Sequence, residues 1–410
     1  MYGDRFGRGG RNIYRWTSRD GGQSWQGATV RAVAFQNNFA ADVVIGFDEQ
    51  GRDHLIAMFG DRHFPKDPVI LYLLLKGASV AAGLLGRPVS GNEEEARGGG
   101  IALSVGDPQS GELGVPQRIS SLPDRHADKT WLTIDNSPTS PHRGNVYAVW
   151  SESGTGGPTT IAMTTARVGG AINTTGVPVV VQYAGSYWPS VATRPTGRVD
   201  LVWFDTKNQV IQHRRSDDGG QSFTAIANIT TERHGVKVDS PAVAVAPDGT
   251  VMACWTESTD STALRTKCST TRGDEGWSVA VDVDTTLSGR GMVGQPAIAA
   301  GATGFWVLAY RTDQRTDVVL YRSTDGGKTF APYRLLGSRS FGVDQVCMGL
   351  AHDTPCRYDP LQRKFAGGGD YIGLSTAGNR VAAAFGLTLG NDPDQFATTY
   401  VKVLDVAAPE

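Results

Sequence analysis

Several short polar clusters in this 410-residue chain have the makings of a site that handles a hydroxylated ring. Asp61-Arg62-His63 is one, and Asp124-Arg125-His126 running into Asp128-Lys129 is another. Tyr187-Trp188, Arg311 and Asp370-Tyr371 complete the set. A guanidinium pairs bidentately with a carboxylate. A carboxylate, an imidazole or an activated phenol supplies the acid, base or nucleophile that cleaves a glycosidic bond, and aromatic faces stack on sugar rings. The residues expected to react are Tyr371, Asp128, His126 and Asp61. Those expected to hold substrate are Arg62, His63, Arg125, Tyr187, Trp188, Arg311 and Asp370. Each could instead be a rim salt bridge or a solvated loop charge, so their value depends on whether the fold gathers them.

The elements that must gather them are announced by a motif spelled three times. Ser18-Arg19-Asp20-Gly21-Gly22-Gln23-Ser24-Trp25 comes first, then Ser216-Asp217-Asp218-Gly219-Gly220-Gln221-Ser222-Phe223, then Ser323-Thr324-Asp325-Gly326-Gly327-Lys328-Thr329-Phe330. The Asp carboxylate can accept backbone N–H groups a few residues on, and the glycines allow positive φ where the chain reverses. The aromatic then returns to an apolar layer. Runs such as Val318-Val319-Leu320-Tyr321 read as the strand entering the turn.

Eroded copies lie near Ser269 and Thr164 and at Ser104 to Asp107. Ahead of each copy stand a short apolar strand ending in a turn and a second strand ending in an aromatic. Pro241 to Val245 followed by Val251 to Trp255 is one example. Each module therefore reads as four antiparallel strands at regular spacing, the pattern of a β-propeller. First strands begin near Asp42, Asp128, Trp188, Asp239, Gln295 and Asp370. Six blades are expected, with the N-terminal strands completing the C-terminal blade. Seven follow if the first motif belongs to a blade of its own.

The motif resembles the Asp-box, or BNR repeat, of the sialidase-like superfamily. The resemblance spans residues 1–410 as one all-β propeller domain. It implies that the repeated turns lie on one face and the active site on the other. The second-to-third strand loops and the blade-to-blade links, which carry the polar clusters, would then share the working face. Sialidases carry an arginine triad, an Asp acid/base and a Glu-activated Tyr. Tyr371 resembles the position of that nucleophile, whereas the family's Arg-Ile-Pro motif is absent from the chain.

Composition fits. Lys and Arg number 39 against 41 Asp and Glu, a balance that argues against a nucleic-acid partner. The apolar run from Val69 stops at Lys76, too short to span a bilayer. Two segments interrupt the period: an insertion at 76–100 and a long loop at 338–369. Four cysteines divide into Cys254 with Cys268 on one proposed hairpin and Cys347 with Cys356 in the long loop. Two local disulfides point to a secreted or periplasmic protein, with free buried thiols as the alternative. No cofactor is expected. Asp392 and Asp394 offer a structural calcium site or a plain solvated turn.

Three functions compete. The first is a sialidase-like, exo-acting glycoside hydrolase on glycans bearing an acidic sugar. The second is a polysaccharide lyase drawing on His63, His126, Tyr187 and Arg125. The third is a non-catalytic glycan-binding propeller. In each the partner is a glycan and the protein acts as a monomer.

Overall fold

The computed structural model describes residues 12–31, 39–60, 100–108, 112–120, 126–153, 159–167, 179–182, 185–232, 235–258, 263–273, 275–289, 291–340, 372–388 and 397–406. All its regular structure is β. A lone hairpin comes first, β1 (Asn12–Thr17) and β2 (Gln26–Arg31). Three four-stranded antiparallel sheets follow. They are β3 (Phe39–Phe47), β4 (Asp53–Gly60), β5 (Gly100–Val105) and β6 (Gln117–Arg118); β7 (His126–Ile134), β8 (Asn145–Ser153), β9 (Thr160–Arg167) and β10 (Val179–Gln182); and β11 (Ser186–Thr193), β12 (Val199–Asp205), β13 (Val210–Ser216) and β14 (Ala227–Asn228).

Two further modules are β15 (Lys237–Val245), β16 (Val251–Ser258), β17 (Leu264–Thr271) and β18 (Val281–Asp282), then β19 (Met292–Gly301), β20 (Gly304–Thr312), β21 (Thr316–Ser323) and β22 (Ala331–Arg339). A single parallel bridge, Leu264 to Met292, joins these two into one eight-stranded sheet. The last sheet has three strands, β23 (Gly373–Ala377), β24 (Arg380–Thr388) and β25 (Ala397–Asp405). The first strands β3, β7, β11, β15, β19 and β23 neighbour one another in chain order.

Second strands in the middle of the chain are buried on both faces because each packs between neighbouring modules. β12 and β16 are buried throughout their lengths, which is why they read as apolar runs rather than alternating patterns. The aromatics expected to end these strands, Phe59, Trp150, Trp203, Trp255, Tyr310 and Phe385, are all buried. Side chains from adjacent sheets interleave between them. Tyr147, Val149 and Met163 pack with Leu201 and Trp203, and Met252 and Cys268 pack with Val307 and Tyr321.

The three motif copies build one turn three times. Asp218 Oδ1 accepts from the backbone N–H of Gln221 and Ser222 at 3.0 and 2.9 Å, and from the Ser216 hydroxyl. Asp325 and Asp20 repeat these bonds. Both central glycines are left-handed in every copy, φ +72° and +88° at Gly219 and Gly220. Gly220 and Gly327 each lie against strands of the preceding sheet, Met163 and Thr165 in one case and Thr270 in the other. No side chain would fit there.

Two expectations need amending. Among the described residues β1 and β2 pair only with each other, so they do not complete the C-terminal sheet. Instead Gly21 and Gly22 lie against Arg380 and Val403 of β24 and β25, as Gly220 lies against β9. Trp25 also differs from Phe223 and Phe330. Its ring remains exposed, its indole donating to the Gly22 carbonyl at 3.1 Å.

Cys254 and Cys268 face each other across β16 and β17 and form a disulfide. Cys347, Cys356, Asp392, Asp394 and most of both interrupting segments lie outside the described residues.

Candidate functional site

Five of the six first strands share a distortion near their start. The ladder between first and second strand slips after Ala41, Asp128, Tyr187, Asp239 and Gly294. In every case the next residue is left-handed and is not glycine: Asp42, Lys129, Trp188, Ser240 and Gln295, with φ between +50° and +56°. Each such residue costs on the order of 1–3 kcal/mol and persists only where its surroundings enforce it. Bulges of this kind re-aim side chains.

The surroundings are visible. Asp128 Oδ1 accepts the N–H of Lys129 at 2.8 Å, and Asp239 Oδ1 that of Ser240 at 2.6 Å. At two further sites the preceding module supplies the acceptor: Ser151 on β8 takes the Trp188 N–H and Thr256 on β16 that of Gln295, each at 2.9 Å. Thr130 next to Lys129 donates to the Asp42 carbonyl at 2.7 Å.

Three of these bulges gather a polar cluster from three successive sheets. The Tyr187 hydroxyl on β11 donates to Asp128 Oδ2 on β7 at 2.6 Å. The Lys129 ammonium lies 3.6 Å from Asp42 Oδ2 and 3.9 Å from Asp128 Oδ1. It also sits 4.8 Å from the centre of the Trp188 ring, a cation–π distance. Trp188 meets Tyr187 edge to face. Burial and then the charge of Asp128 push the Tyr187 phenol well above its ordinary pKa, so at neutral pH it is a donor. Asp128 thus accepts two hydrogen bonds beside an ammonium.

Of the residues expected from sequence, the structure therefore brings together Asp128, Tyr187 and Trp188. It adds Lys129 and Asp42, which sequence reasoning placed beside the site but not in it. Arg311 is committed elsewhere. Its Nε meets Asp284 Oδ2 at 3.1 Å, where the Tyr321 hydroxyl also donates. The β7 strand begins at His126, but its side chain lies outside the described residues, as do Asp61, Arg62, His63, Arg125, Asp370 and Tyr371. A signal for the bulges was present: Pro189, Pro241 and Pro296 each follow a left-handed residue. Proline cannot donate to a ladder and marks bulges when it occurs inside a strand pattern.

No family model matches the chain, and no curated protein sequence matches it. Solved structures do match. A protein of unknown function from Dyadobacter fermentans aligns with a TM-score of 0.51 and 11% identity, covering 90% of this chain and 95% of that one. A Hadza microbial sialidase aligns with a TM-score of 0.49 and 14% identity over 91% of this chain and 67% of that one. An ulvan lyase, a polysaccharide lyase, gives 0.39 and 8% over 88% and 96%. The similarity to the Dyadobacter protein is one of fold.

Proposed function

We propose that the chain is a carbohydrate-active enzyme on a sialidase-like propeller, and that the cluster around Asp128 hydrolyses a glycosidic bond. The observation that carries this reading is the 2.6 Å bond from Tyr187 to Asp128 beside a buried ammonium and an indole face. An ionised carboxylate is what an oxocarbenium-like transition state needs next to it. A protonated phenol bonded to that carboxylate can attack the anomeric carbon while Asp128 takes its proton. The C1–Oη bond then forms as the bond to the leaving oxygen breaks. Asp61 is the group proposed to protonate that oxygen; water then attacks the anomeric carbon and gives a proton to Asp61 as the C1–Oη bond breaks and Asp128 returns its proton to the phenolate. Trp188 offers the stacking face.

The ring itself belongs to the proposal. Gly22 against Val403 repeats the relation of Gly220 to Met163, in which a turn rests on the preceding module. This supports a circle in which the N-terminal hairpin occupies its own position between the last sheet and the first, giving seven positions rather than six. The Cys254–Cys268 disulfide supports an oxidising, extracytoplasmic location. A monomer with a glycan partner is the proposed working form.

A panel of chromogenic glycosides tests the reading. Hydrolysis should release the chromophore, and both Asp128→Asn and Tyr187→Phe should lower kcat by about 100-fold or more without loss of fold. A product with a new ultraviolet-absorbing double bond would identify a lyase instead. Retention on immobilised glycans without turnover would identify a binding protein.

A further inference from the structure

The left-handed bulges do not stop at the cluster. They continue onto the next two modules, at Ser240 on β15 and Gln295 on β19. Neither residue belongs to the reacting couple, yet both keep the same strained backbone at the same place in the module. Ser240 is supported by Asp239 and Gln295 by Thr256, so two different local solutions maintain one geometry. A turn that merely needed positive φ would be met at lower cost by glycine. Five non-glycine side chains at this position suggest that the side chains themselves are in use.

We infer that Asp239, Ser240 and Gln295 form a second sugar subsite that continues the rim from Trp188, and that the site takes an uncharged saccharide rather than an acidic one. The inference rests on the hydrolytic reading for the chemistry at Asp128, and extends it to substrate class. The chemistry of the rim carries it. A hydroxyl, an amide and a carboxylate are the groups that exchange hydrogen bonds with sugar hydroxyls. All three residues are buried, where such bonds are shielded from water. The five left-handed residues and the residues just before them include three carboxylates, Asp42, Asp128 and Asp239, and one ammonium, Lys129, which lies close to the first two. An added carboxylate would meet net repulsion there, whereas a neutral hydroxylated ring would not.

The test uses Ser240→Gly and Gln295→Gly, both of which relax the backbone while removing the side chain. The substrates are cello-, xylo- and arabino-oligosaccharides and their matching nitrophenyl monosaccharides, with sialyllactose and oligogalacturonate as acidic controls. On the best uncharged oligosaccharide, each variant should lose about tenfold in kcat/KM, the equivalent of one hydrogen bond. The loss on the matching monosaccharide should be clearly smaller, and Tm should be unchanged or raised. Equal losses on both substrates, no loss on either, or wild-type preference for the acidic glycans would overturn the inference. If the wild type cleaves none of them, the hydrolytic reading fails by itself. Affinity electrophoresis in the same uncharged oligosaccharides, coupled to a gel matrix, then decides the subsite. Weaker retention of the variants upholds it, and equal or absent retention of all three proteins ends it.

Discussion

Tyr187 and Asp128 meet across the seam between two sheets, the phenol of one inner strand donating to the carboxylate of the next at 2.6 Å. Neither could reach the other without the bulges at Lys129 and Trp188, which break the ladder beside each of them. The bond thus couples the register of two modules to the protonation of one site.

That coupling separates two conservative substitutions. Tyr187→Phe keeps the ring and its edge-to-face contact with Trp188 but leaves Asp128 one donor short. Turnover should fall while the melting temperature shifts little. Lys129→Met keeps the stem but removes the ammonium between Asp42 and Asp128, so it should lower kcat and lose the contact with the Trp188 ring. A kcat unchanged by Lys129→Met would show that the ammonium does not support Asp128.

The repeated turns predict an acid limb of stability. Burial opposes ionisation of Asp218 and Asp325, but the Ser222 and Thr329 hydroxyls and backbone N–H groups outweigh it and lower both to about 2. Folded values below the unfolded value of 3.8 mean that the contribution is complete above about pH 4 and disappears as pH falls towards 2. Asp218→Asn should therefore destabilise by about 1–2 kcal/mol at pH 7, with the difference closing near pH 2. Denaturant melts across that range read it directly.

An alkaline limb should mirror it. Burial raises the Tyr147 phenol from its ordinary 10.0 to about 12. A raised folded value means stability is intact below about pH 10 and is lost as pH climbs towards 12. Tyr147→Phe should flatten part of that loss in far-ultraviolet circular dichroism, and an identical alkaline midpoint would count against it.

The Arg194–Asp200–His213 group predicts a large structural penalty away from the cluster. Arg194 grips both Asp200 oxygens at 2.6 and 2.7 Å, and His213 adds a third contact at 2.8 Å. All three residues are buried, and Arg194 also reaches the Gly273 carbonyl in the next module. Asp200→Ala removes the counter-charge of a buried guanidinium and should cost about 3–5 kcal/mol. A melt within 1 °C of the wild type would contradict this role.

Reduction of the Cys254–Cys268 disulfide opens a short loop within one hairpin and should cost about 3 kcal/mol by the loop-entropy estimate. Melting with and without reductant, compared with Cys254→Ala/Cys268→Ala, measures it.

Much of this was legible in the residue order. The aspartate-pinned turns at Asp20, Asp218 and Asp325 are local, since every bond they make falls within four residues. Strand boundaries, the buried aromatics and the opposed Cys254 and Cys268 follow from periodicity and spacing, which report how a segment lies in its own sheet. Asp128, Tyr187 and Trp188 could be placed at the starts of first strands for the same reason. What sequence alone did not determine is who meets whom there. Lys129 reads as an ordinary charge beside Asp128 until a bulge turns it toward Asp42 and Trp188, residues far apart in the chain. Arg311 reads as a substrate anchor until Asp284 claims it. The difference is physical: a two-residue slip in an inner strand leaves the hydrophobic period on either side almost untouched but redirects the side chain at the slip, and only packing against the neighbouring module selects it.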